Sequence, residues 1–182
     1  MAFIVQVDTP VTSANAYVDA AYFVAYHTDR GTDVSTYLTA NIQFAIVRAT
    51  QYLDVRFEYI GQRVLNTQEL EWPRQFVYDD KGYSVAGMPP AVKKATCEYA
   101  LRALTIALLA DPTGLDPSGR SLKSKEEAVG PIVEKVEFER GAAFEMPDYP
   151  LADRMLVARG FVSSGAAGGS KAGLMVGTLA RS

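Results

Sequence analysis

Residue types that build most catalytic and metal sites are scarce in this chain of 182 residues. It contains one histidine, His27, and one cysteine, Cys97. A single histidine cannot supply a histidine-based metal cluster, nor a Ser-His-Asp triad together with a further histidine ligand. A single cysteine cannot form an internal disulfide. A Cys97-His27 pair is conceivable, but Cys97 lies on a leucine stripe, which favours a buried structural thiol. We therefore expect no enzymatic activity, no metal and no cofactor.

Long apolar runs and a strong excess of either charge are also missing. No run approaches the roughly 18 apolar residues that a membrane span needs, and residues 1–10 lack the basic start of a secretion signal. Eighteen basic and 21 acidic side chains give a formal charge of -3. This balance argues against a protein whose main task is to coat phosphate backbones. The sequence therefore predicts a soluble, intracellular protein without a membrane partner.

The composition fits one domain with extended ends. With 48% hydrophobic and 21% charged residues, a chain of this length can bury one ordinary core. We expect an N-terminal arm over residues 1–12 that packs on a neighbouring copy, and a helical domain over residues 13–160. Residues 161–182 are rich in glycine, alanine and serine, which predicts a flexible C-terminal tail.

Apolar periodicity predicts a mainly α fold, a small bundle of about four helices. Asp19 and Thr39 are candidate N-caps for the first two. The predicted helices span approximately residues 20–27, 39–57, 90–109 and 150–159. A change to period two after Gly130 predicts a short strand or hairpin near residues 130–145. The glycine, proline, serine and lysine content of residues 115–125 predicts a mobile loop.

The only tryptophan lies in the long connection between the second and third predicted helices. Burial of an indole contributes more than burial of almost any other side chain. Trp72 and Pro73 are therefore predicted to anchor this connection, together with Arg74 and with Pro89 at the start of the next helix. Arg74 either contacts a phosphate or clamps a carboxylate of the same or the next subunit.

The second predicted helix is apolar on two faces. One stripe is formed by Ile42, Ile46, Ala49 and Leu53. Phe44, Val47 and Val55 fall outside this stripe. A helix that is apolar on more than one face is usually covered on more than one face. These three residues are therefore predicted to lie in a contact between subunits.

Five short motifs occur in a specific order and at specific separations. They are residues 14–17 (ANAY), 48–54 (RATQYLD), 70–74 (LEWPR), 89–104 (PPAVKKATCEYALRAL) and 129–131 (VGP). Together they resemble the head-to-tail adaptor proteins of tailed bacteriophages, also called head completion or connector proteins. This group is often labelled DnaT-like single-stranded DNA-binding protein. The resemblance covers about residues 14–160.

The resemblance implies a structural virion protein located in the phage neck and assembled in the host cytoplasm. Members of the family commonly form dodecameric rings under the portal, where they extend the DNA channel and dock the tail. The implied partners are further copies of the chain, the portal protein, the next tail or neck protein, and double-stranded DNA that passes without sequence-specific binding.

Two sets of residues become candidates within such a ring. Residues 126–148 contain seven acidic and two basic side chains. An acidic surface repels a polyanion, so Glu134, Glu137 and Glu139 are candidates to line the channel, with a solvated outer sheet face as an equally favoured alternative. The candidates for docking on the portal are Phe161, Lys171, Leu174 and Arg181.

A second hypothesis is a DnaT-like single-stranded DNA-binding protein of phage replication. The aromatic residues that could stack bases are Tyr52, Tyr59, Trp72, Phe76, Tyr78 and Tyr83, and the candidate phosphate contacts are Arg56, Arg63, Arg74 and Lys81. Acidic residues accompany these aromatics, whereas stacking platforms normally lie in a positive groove, so this hypothesis ranks second. Lys93 and Lys94 would also suit an anion such as DNA phosphate, although stems that cover apolar surface are the favoured interpretation.

Overall fold

The computed structural model describes residues 2–108 and 149–163, together with the backbone of residues 122–126 and 135–138. Its four helices are α1 (Ala20–Thr28), α2 (Thr39–Arg56), α3 (Pro90–Ala103) and α4 (Pro150–Val157). Its strands are β1 (Gln62–Arg63), β2 (Arg74–Gln75), β3 (Val77–Tyr78), β4 (Ser84–Val85), β5 (Leu122–Glu126) and β6 (Lys135–Phe138). They pair as three antiparallel ladders, β1 with β2, β3 with β4, and β5 with β6. The predicted mainly α fold is confirmed.

The helices pack around one apolar core. α3 lies between α2 and α4, and α1 contacts both α2 and α3. Ile46 and Leu53 of α2, Tyr99 of α3 and Leu156 of α4 are fully buried at its centre. Complete burial of a side chain of this size stabilises the fold by about 1.5–3 kcal/mol. The core therefore depends on one face from each of these helices.

Helix starts follow local chemistry, with one difference from prediction. The Asp19 carboxylate accepts a hydrogen bond of 2.7 Å from the Tyr22 N–H, so it caps α1 as predicted. Thr39 is the first helical residue of α2 rather than its cap, which is Leu38 and makes no side-chain bond. α3 starts at Pro90, because proline at this position sacrifices no needed donor.

α3 is shorter than predicted. It ends at Ala103, and the Arg102 carbonyl accepts N–H groups from both Thr105 (3.0 Å) and Ile106 (2.9 Å) in the turn that follows. Leu108 is nevertheless buried. An apolar residue at helical spacing can enter the core from a turn, so periodicity overestimated the length of this helix.

The first residues of the chain pack on their own domain, and their packing on a neighbouring copy stays a prediction. Val5 pairs in parallel with Ala16, and the Gln6 N–H donates to the Ala16 carbonyl at 2.8 Å. Gln6 is 2% exposed, and its amide Nε2 donates to the carbonyls of Val7 (2.6 Å) and Thr9 (2.7 Å). The buried amide therefore satisfies the backbone of the arm as it turns.

The predicted strand lies in a hairpin whose other strand falls partly in the predicted loop. β6 pairs with β5, with Glu126 opposite Lys135 and Leu122 opposite Phe138, and the register shifts between Leu122 and Ser124. β5 overlaps the end of residues 115–125. This segment was predicted as a loop because its glycine, proline and lysine content is typical of loops and it shows no clear strand pattern. No described helix is both long and apolar enough to cross a membrane.

Candidate functional site

Trp72 lies at the centre of the connection between α2 and α3. Its side chain is fully buried, and its ring packs 5.6 Å from Tyr59 and 5.5 Å from Phe161, measured between centroids. The Trp72 N–H donates to the Tyr17 hydroxyl at 3.2 Å. Pro73, joined to Trp72 by a cis peptide bond, is also buried. The connection is thus held against both ends of the domain.

Arg74 fixes the same connection through its guanidinium group. Nε donates to the Ile60 carbonyl at 2.8 Å and Nη2 to the Gly61 carbonyl at 2.9 Å, while Nη1 contacts the Glu71 carboxylate. Gly61 has a φ of +71°, and a Cβ there would lie 2.5 Å from the Gln75 carbonyl oxygen. Of the two alternatives for Arg74, the structure shows a clamp on a carboxylate of its own chain.

A half-buried carboxylate links this connection to α2. The Tyr17 hydroxyl donates to Asp54 Oδ1 at 2.5 Å, and the Glu71 N–H donates to Asp54 Oδ2 at 3.2 Å. Burial raises the pKa of the Asp54 carboxyl to about 7, although both hydrogen bonds act in the opposite direction. Asp54 thus exchanges its proton near neutral pH.

Asp54 should make the stability of the protein fall as the pH rises. The folded protein holds the Asp54 proton up to about pH 7, whereas the unfolded chain releases it near pH 4. The stabilising contribution is therefore present below about pH 4 and is lost by about pH 7. For Asp54→Asn, stability relative to the wild type should be higher at pH 8 than at pH 4 by up to about 4 kcal/mol.

Urea unfolding at both pH values measures this difference. Asp80→Asn is the matched control, because it removes the same charge from an exposed position. If Asp54→Asn changed the free energy of unfolding by the same amount at both pH values, Asp54 would not titrate in this range.

The predicted subunit-contact residues lie on the outer face of α2. Phe44 and Val55 are each 65% exposed, and Val47 is half-buried. Together these residues form what we call the α2 outer face.

The candidate base-stacking residues separate into two groups. Tyr52, Tyr59 and Trp72 are buried in the core. Phe76, Tyr78 and Tyr83 are exposed. The exposed group belongs to the β3–β4 hairpin, where the Asp79 carboxylate accepts the N–H groups of Lys81 (3.0 Å) and Tyr83 (2.8 Å). Half of the aromatic set therefore remains accessible, all of it in one hairpin.

The candidate phosphate contacts separate in the same way. Arg56 is buried, and its Nη2 lies 2.8 Å from Asp153 Oδ2, while Arg74 makes the contacts described above. Arg63 donates to the Gln68 carbonyl at 2.9 Å from an exposed position, and Lys81 is exposed. The Tyr99 hydroxyl completes the buried network by donating to Asp153. Sequence reasoning missed this network because Arg56 and Asp153 are 97 residues apart.

The remaining predicted residues are placed only in part. Phe161 is 4% exposed and packs on Trp72, so it is unavailable for docking in this structure, contrary to its predicted role. Val162 pairs with Tyr59, and the Ser163 N–H donates to the Glu58 carbonyl at 2.9 Å, so the packed domain continues past residue 160. The other candidates lie outside the residues whose side chains are described: Glu134, Glu137, Glu139, Lys171, Leu174 and Arg181.

The one cysteine and the one histidine both lie in the core. Cys97 is fully buried, and burial raises the pKa of its thiol. The His27 Nε2 lies 3.1 Å from the Cys97 carbonyl oxygen, and burial lowers the pKa of the His27 ring. The described residues contain no group of three or more His, Cys, Asp or Glu side chains that could hold a metal ion.

These features define the class of protein: a small helical domain in which Trp72 anchors the connection between α2 and α3 in the apolar core. A family model described as "Putative DnaT-like ssDNA binding protein" matches residues 1–176, so the chain belongs to this family. The description supports the second hypothesis of the sequence analysis more directly than the adaptor hypothesis. No curated protein and no solved structure matches the chain.

Proposed function

We propose that this chain is a structural head-to-tail adaptor of a tailed bacteriophage, and that copies of it form a ring under the portal. The observation that carries the proposal is the α2 outer face, where Phe44 and Val55 are each 65% exposed. Exposed apolar residues grouped on one face of a helix are typical of a surface that another subunit covers.

The burial of half of the stacking and phosphate-binding candidates also favours the adaptor. Tyr52, Tyr59 and Trp72 hold the core together, and Arg56 and Arg74 are engaged with acidic residues of their own chain. A protein that coats single strands would need such groups at its surface. Together with the motifs noted above, this distribution supports assembly as the main task.

Charged substitutions on the α2 outer face test the proposal. For Phe44→Asp/Val55→Asp, we expect the association constant between subunits to fall at least 100-fold, about 3 kcal/mol, because two apolar contacts are lost and two charges are buried. Sedimentation velocity, combined with negative-stain images of the chain alone and mixed with portal protein, measures the assembly.

Val24→Asp, on the exposed side of α1, is the matched control and should assemble as the wild type does. A wild-type chain that stays monomeric at high concentration, with and without portal protein, would contradict the proposal. Assembly unaffected by the double substitution would show that another surface forms the contact.

The second candidate function is single-stranded DNA binding in phage replication, and two observations favour it. The family description names this activity. The β3–β4 hairpin carries the exposed side chains of Phe76, Tyr78 and Tyr83, with Lys81 at its turn. Tight, strongly salt-dependent binding of a fluorescent oligonucleotide by a chain that ignores portal protein would favour this candidate over the adaptor.

A further inference from the structure

Four cationic side chains from distant parts of the sequence line one cleft. The cleft encloses about 540 Å³ between the start of α3 and the ends of α1 and α4, and it is lined by Arg30, Lys94, Arg154 and Arg159. All four residues are exposed. In a chain of net charge -3, this basic cleft is a local concentration of positive charge.

Acidic side chains do not neutralise the basic cleft. The ion pairs found among the described residues join Arg56 to Asp153, Arg74 to Glu71 and Arg102 to Glu98, and none involves the cations of the cleft. Asp79 is the one acidic residue in the lining. Its Oδ1 already accepts two backbone N–H groups of the β3–β4 turn. Against four cations, this single carboxylate leaves the lining of the cleft with a net positive charge.

Arg30 is held in position without losing its charge. Its Nη1 donates to the Tyr26 carbonyl at 2.8 Å, and its guanidinium carbon lies 3.5 Å from the centroid of the Tyr26 ring. A carbonyl and an aromatic face orient a guanidinium group but do not neutralise it. One wall of the basic cleft is therefore preorganised.

The start of α3 adds to the same positive field. Pro89, its N-cap, provides no side-chain hydrogen bond, and the first turn contains no acidic residue. Pro89, Pro90 and Ala91 all border the cleft. The positive end of the helix dipole therefore faces a space already lined by cations, which is an arrangement that favours an anion.

The chemistry of the lining indicates which anion fits. Three of the four cations are arginines, whose planar guanidinium groups donate pairs of hydrogen bonds to phosphate oxygens. Val85 and Met155 supply apolar surface beside them, where a sugar or a base could pack. The cleft is also much larger than a single inorganic ion.

We propose that the basic cleft binds phosphodiester groups of a nucleic-acid strand. The inference rests on nucleic-acid binding, the second candidate function, and assigns the phosphate contacts to residues other than those predicted from the sequence. Of the four cations that line the cleft, only Lys94 was predicted from the sequence as a possible phosphate contact. The β3–β4 hairpin borders the cleft through Asp79 and Val85, so a strand held by the cleft can continue towards the exposed aromatic residues of the hairpin.

Titration with fluorescein-labelled dT20 and with a 20-base-pair duplex tests the proposal. With about four phosphate contacts, the affinity for the single strand should fall about 50-fold between 50 and 200 mM NaCl. Arg154→Gln/Arg159→Gln should weaken binding at 50 mM NaCl at least 10-fold and reduce the salt slope by about 1.4. Both arginines are exposed, so thermal unfolding of this variant should match that of the wild type.

Arg48→Gln is the matched control, because it removes an exposed cation of α2 that lies outside both the cleft lining and the hairpin, and it should change affinity less than 3-fold. The two probes distinguish a single strand from a duplex as the source of the phosphates. Unchanged binding by the arginine variant would overturn the cleft while leaving nucleic-acid binding intact. Failure of the wild type to bind either probe would overturn both the cleft and nucleic-acid binding. Displacement of a bound probe by poly-glutamate alone would also overturn both, because it would show that any polyanion is bound. Portal-dependent assembly is measured separately.

Discussion

Trp72→Ala is expected to lower the free energy of unfolding by about 3–5 kcal/mol. The Trp72 side chain is fully buried and packs against Tyr59, at the start of the same connection, and against Phe161, after α4. Its removal leaves a cavity that these two rings cannot fill without moving the segments that carry them. The substitution therefore also removes the packing of Phe161 on this connection, whereas the backbone hydrogen bonds that join residues 161–163 to Glu58 and Ile60 remain.

Urea unfolding followed by circular dichroism measures the effect. Phe76→Ala is the matched control, because this aromatic side chain belongs to the same connection but is 67% exposed. Its effect should stay within about 0.5 kcal/mol. Equal destabilisation by the two substitutions would show that Trp72 does not anchor the connection.

Arg56→Met is expected to cost about 3–5 kcal/mol, because it leaves a buried carboxylate without its partner. The Arg56 side chain is 1% exposed, and the Asp153 side chain is 12% exposed. Asp153 would retain the Tyr99 hydroxyl as a donor, but a neutral donor cannot compensate a buried charge. The pair joins α2 to α4, so its loss should loosen the packing of α4.

A double variant separates two contributions to the free energy of unfolding: the cost of leaving Asp153 unpaired, and the stabilisation by the Arg56–Asp153 ion pair itself. Arg56→Met/Asp153→Leu should recover most of the stability, since apolar residues of similar volume often replace a buried pair at little cost. Arg63→Met, at an exposed position, is the control and should change stability by less than about 1 kcal/mol. A double variant as unstable as Arg56→Met would contradict this account.

The helices could be predicted because their signals are local. Asp19 caps α1 directly, and proline at the start of α3 fixes the backbone where the sequence places it. The end of α3 could not be predicted, because Leu108 keeps the helical spacing while the backbone has already turned. β5 could not be predicted either, since its partner β6 rather than its own composition makes it a strand.

The candidate site was predictable only where one residue carries the signal. Trp72 stands out in the sequence because it is unique. Arg56 and Asp153 are charged residues far apart in the sequence, and no local pattern indicates that they pair in the core. The basic cleft likewise combines residues 30, 94, 154 and 159. Contacts of this kind exist only after folding, so composition and spacing cannot show them.

The uniqueness of Trp72 also has a practical consequence. As the only indole of the chain, it is the sole source of fluorescence when light is absorbed selectively at the red edge of the protein spectrum. Within the described part of the molecule, no acceptor meets its buried Nε1–H, so the folded domain should emit at short wavelength. A red shift of that emission would report water reaching the indole, which gives assembly and ligand titrations an intrinsic optical probe without any label.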